Sequence, residues 1–437
     1  MDRRTFLAAT GAAGAAGLFD PAMAAAADSR RFPQGFLWGA ATAGHQIEGN
    51  NVASDVWLLE QVKPTLFAEP SGDAGNGFAL WPGDLDLVHA LGLNTYRFSL
   101  EWARIEPEPG QFSLAMLDHY QAIVEGCRAR NLTPVVTFNH FTTPRWFAAQ
   151  GGWTHPDSPA RFARFCDRAA RHLAAGIGYA TTLNEPNTVA IMQEVFPPPM
   201  LAAARAMNAA AARACNAAHF ANAVVPDPGD IAVLQENLVA GHRQGRAAIK
   251  AVRGDLPVGV SLAVSDDQAE GPGSLRDARR KAFYEPWLTV AREDDFLGVQ
   301  NYARARWNDR GLVPPLAGAP RNAMGQEIYP ASLAGAVRHA HAVSGVPILV
   351  TEHGVGTPDD AVRAAFIPAS LAPLRAAMAD GVPVLGYIHW SLIDNFEWIF
   401  GYGPKFGLCS LDRTTFERRP KPSAGVLGAI ARRNGLD

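Results

Sequence analysis

Eight short apolar runs, each ending in polar residues and separated by longer helical patterns, constrain this chain more than any other feature. The runs are FLWGAAT (36–42), LNTYRFSL (93–100), LTPVVTFNH (132–140), YATTLNE (179–185), PVGVSLAV (257–264), DFLGVQNY (295–302), PILVTE (347–352) and VLGYIHW (384–390). Helical spacing fills 82–91, 114–130, 158–175, 199–224, 237–252, 331–344 and 360–380. Strands alternating with helices, without a Ser/Gly-rich linker, predict an α/β fold, a single closed (β/α)8 TIM barrel over residues 32–437. An open doubly wound sheet is the rival, but its G-x-G-x-x-G fingerprint does not follow the first run.

The polar residues of these runs gather at one end. Gln46 and Glu48 follow the first, Arg97 and Glu101 close the second, and Asn139-His140 close the third. Asn184-Glu185 end the fourth, Asn301-Tyr302 the sixth, Glu352 the seventh and His389-Trp390 the eighth. In a barrel the C-terminal strand ends converge on one face, where active sites are built.

Composition narrows the function classes. The 437 residues are 48% hydrophobic and 19% charged, enough apolar material for one large core. With 39 basic and 42 acidic residues, a net charge of −3 and no basic run beyond the N-terminus, nucleic acid is not an expected partner. After the start no apolar stretch approaches the ~20 residues of a membrane span. Cys127, Cys166, Cys215 and Cys409 lie far apart without a CxxC pair and read as free core thiols. There is no HExxH, and His339-x-His341 reads as a solvated helix face, so no metal or cofactor is expected. Residues 1–27 differ in kind: Arg3-Arg4 precede Phe6, Leu7, an Ala/Gly-rich stretch and A-x-A-like cleavage options. They resemble a twin-arginine signal, which predicts a periplasmic or secreted protein folded before export.

Two glutamates carry the chemistry. Glu185 ends a strand in TTLNEPN, where Pro186 delays the next helix, and Glu352 ends another in LVTEHGVG. Opposed carboxyls over a barrel mouth suit glycosidic bond cleavage: one protonates the leaving oxygen while the other attacks or stabilises the anomeric carbon. HWSLIDNFEW (389–398) adds aromatic faces for sugar-ring carbons and acceptors for hydroxyls.

FLWGAATAGHQIEG, YRFSLEWARIEP, TLNEP, VTEHG and WSLIDNFEWIFGYGPKFGL resemble, in order, the motifs of glycoside hydrolase family 1, the retaining β-glucosidase group, from about residue 32 to 430. The resemblance implies Glu185 as general acid/base and Glu352 as nucleophile, with Arg97 and Tyr302 beside the nucleophile to favour its ionised form. It implies Gln46, His140, Asn184, Glu397 and Trp398 as sugar-binding residues and Trp390 as the stacking floor. The implied partner is a small β-glycoside or short oligosaccharide, hydrolysed from its non-reducing end by double displacement. Transfer to an acceptor alcohol is the alternative within this chemistry, and a silent sugar-binding barrel the alternative outside it. Retention of Glu397, where phosphosugar relatives carry Ser, speaks against phosphorylated substrates. Three departures stand out: His353 follows Glu352 where Asn is usual, FTTP follows His140 where many members have WDLP, and MQEVFPPPMLAAARA matches the family poorly.

Overall fold

Each apolar run forms a strand, and the eight strands close on themselves. The computed structural model describes residues 31–436; the predicted signal at residues 1–27 lies outside them. The strands are β1 (Leu37–Ala41), β2 (Thr95–Ser99), β3 (Thr133–Asn139), β4 (Tyr179–Asn184), β5 (Val258–Ala263), β6 (Leu297–Asn301), β7 (Ile348–His353) and β8 (Val384–Trp390). Every neighbouring pair is parallel, and β1 pairs with both β2 and β8, which completes the ring. β4 and β7 therefore stand three strands apart. The outer layer comprises α1 (Gly77–Ala90), α2 (Leu114–Ala129), α3 (Ser158–Leu173), α4 (Ile231–Val252), α5 (Glu285–Val290), α6 (Ser332–Ser344), α7 (Asp360–Ala379) and α8 (Pro422–Arg433).

The main core lies between strands and helices, where Trp38, Trp102, Trp153 and Trp287 are buried. The barrel interior is graded. Leu37, Val135, Phe296, Leu349 and Ile388 belong to one apolar cluster, and the Thr137 and Thr181 hydroxyls bond to each other at 2.8 Å. Gly298 keeps the interior passable, since a Cβ there would lie 2.4 Å from the Ser261 hydroxyl.

Three helical boundaries differ most from the sequence reading. The helix expected over 199–224 runs from Pro198 to Ala214, and Asn216 takes a left-handed φ of 50° that ends it. Pro226 and Pro228 then keep the chain irregular until Ile231 opens α4, earlier than expected. α1 itself starts at Gly77, more than a turn ahead of Pro82, which it accommodates internally. Cys127, Cys166 and Cys409 are buried, Cys215 is half-buried, and all four are free. His339 and His341 depart from the expected solvated face: both are half-buried, His339 edge-on to Tyr284 and His341 bonded to the Val346 carbonyl.

Candidate active site

Strict strand alternation would point both key strand ends the wrong way. In β4, Thr181 faces inward, so unbroken alternation would turn Asn184 outward; the register with β5 slips between Thr181 and Asn184. In β7, Leu349 faces inward and Val350 outward, and the register with β6 slips between Val350 and Glu352. Such irregularities re-aim side chains near sites. Asn184 and Glu352 thereby face the cavity, while His353 turns outward and stacks on Phe366 of α7, ring centroids 5.0 Å apart.

Glu185 sits just past β4 with φ at 44°, a left-handed conformation uncommon for a residue with a side chain. The surroundings hold it there. Its N–H donates to the Ser261 carbonyl at 2.8 Å. Asn187 exchanges two bonds with Ala263, donating to its carbonyl at 2.7 Å and accepting from its N–H at 3.1 Å. The loop bearing Glu185 is thus clamped to the end of β5.

A cavity of about 340 Å³ opens at this face, lined by Gln46, His140, Asn184, Glu185, Tyr302, Glu352, Trp390, Glu397 and Trp398 among others. Arg97 lies fully buried beneath it. All ten site residues implied by the family resemblance therefore come together. Arg97 donates to Glu352 Oε1 at 2.5 Å and to Asn184 Oδ1 at 2.6 Å, and the Tyr302 hydroxyl donates to Glu352 Oε2 at 2.5 Å. Asn184 Oδ1 also accepts from Gln300 at 2.7 Å. With its oxygen so occupied, Asn184 must present Nδ2 to His140 Nε2, at 3.2 Å. His140 consequently carries its proton on Nδ1, and burial together with the Arg97 charge pushes its pKa well below the usual histidine value. The ring is neutral.

Four buried polar atoms in the wall have no protein partner: Gln46 Oε1, His140 Nδ1, Gln300 Oε1 and Glu397 Oε2. Gln46 is oriented by donating through Nε2 to the Phe396 carbonyl at 2.7 Å, which leaves Oε1 free. Orphaned buried donors and acceptors cost about 1–3 kcal/mol each. Acceptors and a donor converging beside indole faces are the complement of a polyol ring. His140 lies nearly parallel to Trp390 and Trp398, at 5.8 and 6.1 Å between centroids.

The two central carboxyls are electrostatically unequal. Burial, then the Glu352 charge, push Glu185 well above the ordinary glutamate range, with Arg97 opposing them. Burial raises Glu352 as well, but Arg97, Tyr302 and Gln300 pull it back. Those donors favour the ionised form of Glu352 without cancelling the effect of burial, and they decide which of the pair ionises first. The proton of the pair resides on Glu185 and the charge on Glu352. Burial and the Glu352 charge raise Glu397 to about 8, against the hydrogen bond from Trp390. Burial lowers His353 to about 3, so it does not titrate near neutrality.

Five polar strand-end residues serve the frame instead, among them buried His389, whose Nδ1 lies 3.2 Å from the Tyr387 hydroxyl. Asn139 donates to the Thr142 carbonyl, and Asn301 donates to the Val264 carbonyl while accepting from Ser332. Glu101 accepts from the His45 N–H at 2.8 Å, Asn51 at 2.6 Å and Thr142 at 2.7 Å. Glu48 pairs with Arg104 at 2.8 Å. This network backs the turn that carries Gln46, and Gly44 is required there because a Cβ would lie 2.6 Å from the Glu101 carboxylate. In FTTP, Phe141 lines the cavity edge-on to Trp398, while Thr142 and Thr143 bond to Glu101 and Asp55. Gln300 and Asn187 were not singled out in sequence; Gln300 could have been found by stepping two residues back from Tyr302 along the same strand face.

The family model for glycosyl hydrolase family 1 matches residues 28–237 and 299–436. The chain belongs to glycosyl hydrolase family 1. It is a glycoside hydrolase, not a silent barrel. Beta-glucosidase A of Thermotoga maritima is 27% identical over 457 residues, spanning 93% of this chain and 99% of that protein. The bifunctional beta-D-glucosidase/beta-D-fucosidase of Bifidobacterium breve is 28% identical over 455 residues, 90% of this chain and 96% of that one. Among solved structures, apo beta-glucosidase 1317 superposes with a TM-score of 0.88 at 43% identity, covering 91% of this chain and 98% of that one. Beta-glycosidase BGL167 gives 0.86 at 45% identity, covering 93% and 98%. The unmatched segment of this family member, 238–298, includes most of α4, all of β5 and α5.

The unequal pair makes a prediction about pH. Tyr302→Phe removes a donor to the charged form of Glu352, which favours its protonated form. The acidic limb of the kcat/KM profile should move to higher pH, and kcat/KM at the optimum should fall by about tenfold or more. A profile unmoved in both position and height would remove Tyr302 from this role.

Proposed function

We propose that the protein is a retaining exo-β-glycosidase, of β-glucosidase type, acting by double displacement. The observation that carries this is the division of labour at Glu352 and Glu185. Glu352 receives two strong donors and is ionised; Glu185 receives none and keeps a proton, in the same cavity. An ionised carboxylate suits attack on the anomeric carbon, and a protonated one suits delivery of a proton to the departing oxygen. Glu185 would then take a proton from the water that releases the sugar. The closed inner end, with its unpartnered Gln46, His140 and Glu397 atoms, supports recognition of a single terminal sugar. β-Glucosidase relatives support glucose as that sugar.

Initial rates on nitrophenyl β-glucoside, β-galactoside and β-fucoside, with nitrophenyl α-glucoside as control, test this reading. The β-glucoside should be turned over and the α-anomer not. Turnover of the α-anomer alone, or of neither, would contradict it.

A further inference from the structure

Glu352 faces the cavity only because β7 carries an extra residue. Val350 pairs with Tyr387 and His353 with His389, so three steps along β7 answer to two along β8. Against β6 the same excess falls between Val350 and Glu352, which makes Thr351 the extra residue. Its buried hydroxyl has no partner among the described residues. An unpaired residue disrupts the ladder where it sits and loosens the hold on the side chains beside it.

The outward face directly behind Glu352 carries its own polar group. His353, Tyr387 and His389 are fully buried there. The Tyr387 hydroxyl lies 3.0 Å from His353 Nδ1 and 3.2 Å from His389 Nδ1, joining the end of β7 to the end of β8. Burial lowers the pKa of both imidazoles, with the Arg363 charge adding to it at His389, and raises that of the phenol. All three groups are neutral. One hydroxyl has one proton, so it donates to one Nδ1 and accepts from the other. The two rings are thereby held in opposite tautomers, one protonated at Nδ1 and one at Nε2. Phe366 stacks on His353 at 5.0 Å and 12° and fixes the plane of that ring.

We propose that His353, Tyr387 and His389 form a positioning device for the nucleophile, locking the out-of-step end of β7 to β8 and so fixing where Glu352 points. The inference rests on the reading of Glu352 as nucleophile and adds residues that act on it from the far side of the strand. Arg97 and Tyr302 hold the carboxylate itself; His353 holds the backbone one residue along. Attack needs the carboxylate oxygen aligned with the anomeric carbon, and a misplacement of about 1 Å can cost about 100-fold in rate.

The test uses a dinitrophenyl β-glucoside carrying fluorine in place of the hydroxyl beside the anomeric carbon. Glu352 forms an ester bond to that carbon as dinitrophenolate departs with the electron pair of the broken bond, and the fluorine leaves the ester long-lived. The burst amplitude counts competent sites and the burst rate reports attack, so lost protein and a misaimed carboxylate are read separately. Tyr387→Phe should slow attack per site by about tenfold or more, with probe affinity within about twofold of wild type. His353→Phe, which keeps an aromatic ring against Phe366 but removes Nδ1, should slow it likewise. An attack rate within about twofold of wild type in either variant overturns the proposal. In the wild type, nitrogen NMR of the imidazoles should find His353 and His389 in opposite tautomers, and the same tautomer in both overturns it as well. Failure of the underlying reading looks different: then the wild type itself is not labelled at Glu352.

Discussion

Glu352→Gly should lower hydrolysis of nitrophenyl β-glucoside by at least ~1000-fold, about 4 kcal/mol of barrier, because the group that forms the covalent intermediate is gone. The fold should persist. Arg97 keeps its bond to Asn184, and the space left lies in an existing cavity, not in packed core. Azide or formate should enter that space and attack the anomeric carbon directly, restoring turnover with an α-configured product. The inverted configuration is the informative part, since a merely structural glutamate would show neither rescue nor a change of hand. Unrescued activity above about a thousandth of wild type would mean that another group attacks.

Glu185→Ala should behave differently, because its loss depends on what is leaving. A dinitrophenolate departs without a proton, so its glycosylation step should survive far better than that of an alkyl glucoside, by about 100-fold or more in relative rate. The glycosyl-enzyme then waits for water that nothing activates. Azide should intercept it from the face opposite the Glu352 ester and give a β-glycosyl azide, visible by mass and by NMR. Equal losses for good and poor leaving groups would contradict proton delivery by Glu185. The raised proton affinity of Glu185 also sets the alkaline limb of the kcat/KM profile, which this variant should abolish for good leaving groups.

The barrel was legible because the strands are short, apolar and separated by helices of sufficient length; seven strands fall within their runs and β7 extends one residue past its run, to His353. The site was legible because its polar residues had to sit at one end of those strands. Which of them face the cavity was not legible. Glu101, Asn139 and Asn301 occupy the same kind of position as Arg97, His140 and Tyr302, yet they bond to the frame. The slips in β4 and β7 that turn Asn184 and Glu352 inward have no local signature, since they depend on register with neighbouring strands. Asn187 and Gln300 act through bonds to other chain segments, which spacing along one segment does not reveal. The outer part of the cavity draws on segments such as 191–200 and 322–328; the first is helical over most of its length but resembles the family least. His353 illustrates the same point in reverse: its neighbourhood to Glu352 in sequence became separation in space once the strand placed them on opposite faces.

The stereochemical course of wild-type hydrolysis tests the central claim most directly. Proton NMR should follow a nitrophenyl β-glucoside during the first minutes of cleavage, before mutarotation mixes the anomers. Attack by Glu352 and then by water inverts the anomeric centre twice, so the first-formed sugar should be the β-anomer. An α-anomer appearing first would show a single displacement by water, and Glu352 would then be a base rather than the nucleophile.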